Sequence, residues 1–257
     1  MQGNEKVSEN LREVKHKLVV MSGKGGVGKS TVAASLAMGL SKTGRKTGLL
    51  DCDIHGPTIP KIFGIEKKKL EAADDDRMMP FKVDENLFVI SLGLILDEDR
   101  PVIWRGPLKM KAIEQFLGDT EWELDYLIID LPPGTGDEPL SIAQLMPDMD
   151  GVMIITTPQD VALISVRRSI NFARALNMPI IGLVENMSGF VCPYCGNSID
   201  IFKKGGGEKA AKEMDVDYLE RIPIDPKIVE SEDSGKEYFN ESFEKLTEII
   251  IKKVEER

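Results

Sequence analysis

Little in this chain is available for covalent cross-linking: its 257 residues include three cysteines, Cys52, Cys192 and Cys195. Three thiols cannot build the disulfide framework of a small secreted domain. A chain of this length buries roughly 70–75% of its unfolded surface without one. Long apolar runs are missing as well. The longest are strand-sized pieces such as Val152-Met153-Ile154-Ile155, far short of the ~18–20 residues that span a bilayer. Met1 to Lys17 is charged and polar and lacks the apolar stretch of a secretory leader. A reducing, cytoplasmic setting is therefore expected. Positive charge is also scarce: 33 Lys plus Arg stand against 43 Asp plus Glu, a formal net charge of -10. A field of that sign repels nucleic-acid phosphates and anionic lipid, so neither nucleic acid nor membrane is expected as a partner.

What the chain does contain is an alternation of short Val/Ile/Leu-rich runs with longer stretches of helical periodicity. That is the pattern of βαβ units around a buried parallel sheet. Strands are predicted near 17–21, 47–50, 87–92, 126–129, 152–156, 180–185 and 218–222, and helices over 29–42, 108–116, 138–146, 161–176, 208–214 and 243–254. The first helix carries Val32, Ala33, Leu36, Ala37 and Leu40 on one face, as a helix covering a sheet should. The fold class is α/β, a doubly wound and mostly parallel sheet with helices on both faces, and its ligand belongs at the carboxyl ends of the strands. One domain, 1–257, is expected, with an N-terminal extension (1–16) and a loop insertion (188–201). Residues 66–86 break the rhythm with Lys67-Lys68-Lys69 and Asp74-Asp75-Asp76 and read as a solvated, mobile excursion.

The first predicted strand runs straight into Gly23-Lys24-Gly25-Gly26-Val27-Gly28-Lys29-Ser30-Thr31, and a helix follows. Glycines let the backbone N–H groups wrap the β-phosphate, and the helix N-terminus adds the positive end of its dipole. In such a P-loop Lys29 reaches the β- and γ-phosphates and the Ser30 hydroxyl coordinates Mg²⁺. Two predicted strands end in carboxylates, Asp51-Cys52-Asp53 and Asp130-Leu131-Pro132-Pro133-Gly134-Thr135-Gly136-Asp137. A carboxylate there can hold a Mg²⁺-bound water, a role that fits Asp130. Asp53, ahead of Asp51, is the candidate for positioning the attacking water, and Gly134 can bring an N–H to the γ-phosphate. Nothing spells the Asn-Lys-x-Asp element that reads guanine, so ATP is expected.

Lys24 is one lysine more than the ordinary motif needs. The spelling Lys-Gly-Gly-Val-Gly-Lys-Ser resembles the deviant P-loop of the MinD and nitrogenase iron protein class of dimeric ATPases. By that resemblance Lys24 crosses a homodimer interface to the partner's phosphates, where other NTPases use an arginine finger.

Cys192-Pro193-Tyr194-Cys195-Gly196 places two thiols at a spacing that grips one metal from a tight turn, yet Zn²⁺ or a [4Fe-4S] cluster usually takes four ligands. No second pair exists, and His16 and His55 are not at ligand spacing. Three chemistries share the motif: glutaredoxin-like redox, a structural zinc shared by two chains, and a cluster bridged by two chains.

Taken together, the deviant P-loop, Asp51-Cys52-Asp53-Ile54-His55-Gly56-Pro57, the 130–137 loop, and Glu185-Asn186-Met187-Ser188 leading into Cys192 and Cys195 resemble the Mrp/ApbC family of iron-sulfur cluster carrier ATPases. The likeness runs from about Lys17 to the end. It implies an ATP-hydrolysing homodimer, slow in isolation, that holds a labile [4Fe-4S] cluster between the paired cysteines and passes it to apo iron-sulfur proteins. Zinc in its place is an expectation for aerobic preparations. It also implies that Asn186 and the turn containing Pro223 and Asp225 flank adenine. The rival reading is a MinD- or ParA-like positioning ATPase with a structural zinc. It needs a basic amphipathic C-terminal helix or a basic surface, whereas the stripe Phe243, Leu246, Ile250, Val254 is flanked by mixed charge and reads as core packing.

Overall fold

The computed structural model describes residues 2–53, 56–70, 77–95 and 106–256. In chain order the elements are α1 (Gln2–Asn10), β1 (His16–Ser22), α2 (Lys29–Lys42), β2 (Thr47–Asp51), α3 (Ile59–Ile62), β3 (Phe81–Lys82), β4 (Leu87–Ser91), α4 (Gly106–Gly118), β5 (Tyr126–Asp130), α5 (Asp137–Leu145), β6 (Gly151–Thr156), α6 (Asp160–Ala175), β7 (Ile180–Glu185), β8 (Phe190–Val191), β9 (Ser198–Ile199), α7 (Gly206–Glu213), β10 (Tyr218–Arg221), α8 (Pro226–Ser234) and α9 (Glu241–Glu255).

Among the described residues the main sheet has eight strands in the order β10-β7-β6-β1-β5-β2-β4-β3. Every pairing is parallel except that of β3 with β4. Strands β2, β5 and β6 are buried at every position, which is what a parallel sheet covered on both faces requires. One face packs α2 and α9 through Val32, Leu36, Leu40, Phe243, Leu246 and Ile250. The other packs α4, α5 and α6 through Ile113, Phe116, Ile142, Val166 and Ile170. The chain reverses direction across the sheet at β1, which lies between β5 and β6. Its carboxyl end is the crevice where α/β sheets bind ligands.

Several features depart from the reading of the sequence, among them the short elements α3, β8 and β9. The 1–16 extension contains α1, whose Val7, together with Leu11 and Val14 just beyond it, joins the core. Asn10 Nδ2 donates to the carbonyls of Leu117 and Thr120 at 2.7 and 2.8 Å. Part of the charged 66–86 segment is ordered sheet edge, because Phe81–Lys82 pairs with Phe88 and Val89. Lys67 to Lys69 are exposed, and the Asp74-Asp75-Asp76 run lies outside the described residues. Strand β4 stops at Ser91 rather than Leu92, because the Ser91 hydroxyl accepts the Gly93 N–H and starts a short 3-10 turn, Leu92–Leu94. Helix α8 was not expected at all. Its start is set by Asp225, which accepts the Lys227 N–H, and by Pro226 at its first position. The apolar stripe of α9 faces the core beside α2, with Phe243, Leu246, Ile250 and Val254 buried. Among the described residues no helix is long and apolar enough to cross a membrane.

Candidate functional site

At the carboxyl end of β1 the chain turns through the P-loop with Gly26 and Gly28 at φ +75° and +76°. These left-handed conformations strain any residue with a Cβ. The turn is pinned at both ends. A Cβ on Gly23 would lie 2.5 Å from the Ser165 carbonyl oxygen on α6, and one on Gly28 would lie 2.2 Å from Asn186 Nδ2. The loop opens onto a cleft of about 400 Å³ lined by residues 24–31, Ser22, Asp53, Gly56, Thr58, Lys61, Ile62, Pro133, Glu232 and Asp233.

Beneath the cleft Lys29 Nζ donates to Asp130 Oδ1 at 2.5 Å, and Ser30 Oγ donates to Asp130 Oδ2 at 2.6 Å. Lys29 is 6% exposed and Asp130 not at all. Strand register puts Asp51 directly beside Asp130. Asp51 accepts from Ser91 Oγ at 2.9 Å and from the Asp53 N–H at 3.0 Å. Burial, and then the Asp130 charge, push the Asp51 carboxyl up to about 8. Burial raises Asp130 too, against the Lys29 charge and the bonds from Lys29 and Ser30. Of the two, Asp51 is the one that keeps its proton, since its two hydrogen-bond partners are neutral. Asp53, half-buried, faces the cleft. Oxygen donors at Ser30 and a buried carboxylate at Asp130 fit a hard cation such as Mg²⁺. The Gly134 N–H, at φ +103°, donates to the Ser22 carbonyl at 2.8 Å.

Lys24 lies in the loop, half-buried, with its carbonyl accepting from Ser22 Oγ at 3.0 Å. Asn186, 5% exposed, donates from Nδ2 to the Val27 carbonyl at 2.9 Å. Pro223 and Asp225 do not line the cleft. Asp225 caps α8 and accepts from Tyr238 Oη at 2.6 Å. The part of this region that does reach the cleft is Glu232 and Asp233. Burial raises the Glu232 carboxyl while a hydrogen bond with Thr31 lowers it. Sequence reasoning missed these two, although Asp225-Pro226 and Gly235 at the far end are a helix start and stop signal.

The cysteines sit on a separate two-stranded hairpin, β8 with β9. Cys192 and Gly196 close its turn: the Cys192 N–H donates to the Asn197 carbonyl at 3.0 Å and the Gly196 N–H to the Cys192 carbonyl at 2.9 Å. Cys195 is exposed, and Tyr194 between the pair is 97% exposed. The backbone N–H groups of Tyr194 and Cys195, together with the Cys195 thiol, hold the Cys192 thiol below its usual range. Cys52 is different. Burial first, then Asp51 and Asp130, push its thiol well up, in contrast to the accessible pair on the hairpin. Among the described residues no three His, Cys, Asp or Glu side chains are placed to hold a metal, and Cys192 and Cys195 are the two thiols not enclosed by the core.

The P-loop on the central strand, with carboxylates closing the strands beside it, defines a P-loop NTPase of the MinD/ParA-like kind. MinD of Pyrococcus furiosus superposes with a TM-score of 0.67 at 25% identity, covering 93% of this chain and 99% of MinD. The chain belongs to the family described as NUBPL iron-transfer P-loop NTPase, whose model matches residues 13–257. The iron-sulfur cluster carrier protein of Methanocaldococcus jannaschii is 51% identical over 262 residues, covering 99% of this chain and 90% of the relative. A cytosolic Fe-S cluster assembly factor of Candida glabrata is 46% identical, covering 97% and 93%. A nucleotide-binding protein of Archaeoglobus fulgidus, solved with ADP and with cobalt found, superposes with a TM-score of 0.82 at 38% identity, covering 94% and 96%.

Proposed function

We propose that this protein is a cytoplasmic ATPase that carries a labile [4Fe-4S] cluster between two identical subunits and passes it to apo iron-sulfur proteins. The observation that carries the reading is the shared root of its two sites. Asn186, at the end of β7, holds the P-loop, and six residues later the same chain presents the Cys192–Cys195 pair at the tip of an exposed hairpin. Four thiolates are the usual ligand set of such a cluster, and two chains related by a twofold axis supply them.

On the nucleotide side, the P-loop N–H groups cradle the phosphates and Lys29 exchanges its contact with Asp130 for one with the β- and γ-oxygens. Mg²⁺ held here would neutralise phosphate charge. Ser30 and Asp130 are the groups that would hold the ion and its water. Asp53 orients the attacking water. Gly134 senses the γ-phosphate by moving its N–H from the Ser22 carbonyl to that group. Lys24 of one subunit reaches the other subunit's phosphates, which makes hydrolysis slow in a lone chain and dependent on the dimer. Asn186, bound to the Val27 carbonyl, is the residue that flanks adenine, while the Pro223–Asp225 turn stands outside the cleft.

Transfer is the direct test. After anaerobic loading, the wild-type protein is expected to restore activity to an apo iron-sulfur enzyme, and Cys192→Ala/Cys195→Ala is expected to fail while still binding ATP. Equal restoration by the two proteins refutes the proposal.

A further inference from the structure

Glu185 ends β7 with no exposure to solvent, and its carboxylate has four neighbours, one close by at Ser188 and three from further along the chain at Gly205, Gly207 and Arg221. Oε1 accepts from Ser188 Oγ and from the Gly205 N–H at 2.8 Å; Oε2 accepts from the Gly207 N–H; and Arg221 Nε lies 3.7 Å from Oε1. Ser188 is where the cysteine excursion leaves the sheet, and Gly205 to Gly207 is where it returns. A single buried carboxylate therefore closes both ends of the loop that carries Cys192 and Cys195. All three glycines at this return are constrained, Gly207 by Glu185 itself. Gly205 has φ +79°, a Cβ on Gly206 would lie 2.4 Å from the Pro158 carbonyl oxygen, and one on Gly207 would lie 3.0 Å from Glu185 Oε2. The anion also faces the N-terminal end of α7, where the helix dipole favours it.

The next residue grips the other site. Asn186 donates to the Val27 carbonyl inside the P-loop, while the Ser188 N–H donates to Ile222 and the Ile224 N–H to Gly189, tying the excursion to the 222–224 turn. Adjacent side chains at a strand end point to opposite sides, so Glu185 and Asn186 hold the cysteine loop and the phosphate loop from one short piece of backbone.

We propose that Glu185 is the positioning residue of the cysteine loop, fixing both of its ends and, through Asn186, coupling its geometry to the nucleotide bound in the P-loop. This rests on reading the loop as the cargo site. A physical claim of coupling requires a demonstrated response of one site to the other. The experiment is therefore amide hydrogen exchange over 188–207 in metal-free full-length protein, with and without Mg²⁺ and ATPγS. In the wild type, nucleotide changes the exchange of this segment. In Glu185→Ala the segment exchanges about tenfold or more faster without nucleotide, the nucleotide response is lost, and ATPγS affinity stays within about threefold. Glu185→Gln keeps the volume and one accepting oxygen but turns an NH₂ toward an N–H donor. It is expected to loosen the loop as well, and it carries the same reading if the alanine variant does not fold. Unchanged exchange and unchanged nucleotide response in a folded variant overturn the proposal, as does a wild-type loop that ignores nucleotide. Because no iron is present, failure of the cluster assignment leaves this result standing, and failure here leaves iron binding at the cysteines untouched.

Discussion

Lys29 Nζ lies 2.5 Å from Asp130 Oδ1 with both groups out of solvent. Breaking such a buried pair from one side leaves an uncompensated charge and costs about 3–5 kcal/mol. Lys29→Met is therefore expected to lose stability as well as nucleotide, with affinity falling roughly ten- to hundredfold from the lost charge-assisted contact. Adding Asp130→Asn removes the orphaned charge, so the double variant is expected to unfold at higher denaturant than Lys29→Met alone. Denaturant titration of the three proteins checks this. A double variant less stable than the single would show that the pair is not the interaction described.

Asp51 makes stability depend on pH. Its folded carboxyl is raised from 3.8 to about 8, so the folded protein keeps a proton that the unfolded chain has already lost. The contribution is fully present below about pH 4, declines as pH rises, and is gone above about pH 8. Asp51→Asn mimics the protonated form and keeps both partners, Ser91 and the Asp53 N–H. Near pH 8 it is expected to be more stable than the wild type by roughly 1–3 kcal/mol, with no gain near pH 4. Parallel stability-against-pH curves for the two proteins would contradict the assignment.

Gly28 is required twice, by its φ of +76° and by Asn186 standing where a side chain would begin. Gly28→Ala is expected to cost about 1–3 kcal/mol of stability through strain and the displaced Asn186–Val27 hydrogen bond. Calorimetric unfolding and nucleotide titration measure both effects. A variant that binds and melts like the wild type rules out the close approach.

Lys24 is expected to act on turnover and not on binding. Lys24→Ala should keep ATP affinity within about threefold and lose more than about tenfold in hydrolysis, and wild-type activity per chain should fall on dilution through the dimer dissociation constant. Constant activity per chain at every dilution excludes action across the interface.

The sequence exposed the elements whose chemistry is written in consecutive residues. Phosphate wrapping demands Gly23 to Thr31 in one turn, and buried parallel strands such as Ile128-Ile129-Asp130 announce themselves as apolar runs ending in a carboxylate. What it hid lies in contacts between distant positions or in elements without a periodic face. Helix α8 buries no residue, so no apolar stripe marked it, and Glu232 and Asp233 went unseen at the cleft. Helix α1 does place Val7 on the core side, with Leu11 and Val14 following at helical spacing, but the charges around them gave the segment the look of a polar extension. Strands β8 and β9, at two residues each, are too short for alternation to register. The partners of Glu185 lie as far along the chain as Gly207 and Arg221, and only the closed fold brings them together.

The central claim is that Cys192 and Cys195 of two subunits share one cluster, and iron counting tests it most directly. After anaerobic reconstitution, the wild-type dimer is expected to hold about four irons with matching sulfide, and Cys192→Ala/Cys195→Ala close to none with ATP binding retained. Tightly held zinc that iron does not displace, or iron that persists without the two cysteines, would contradict it.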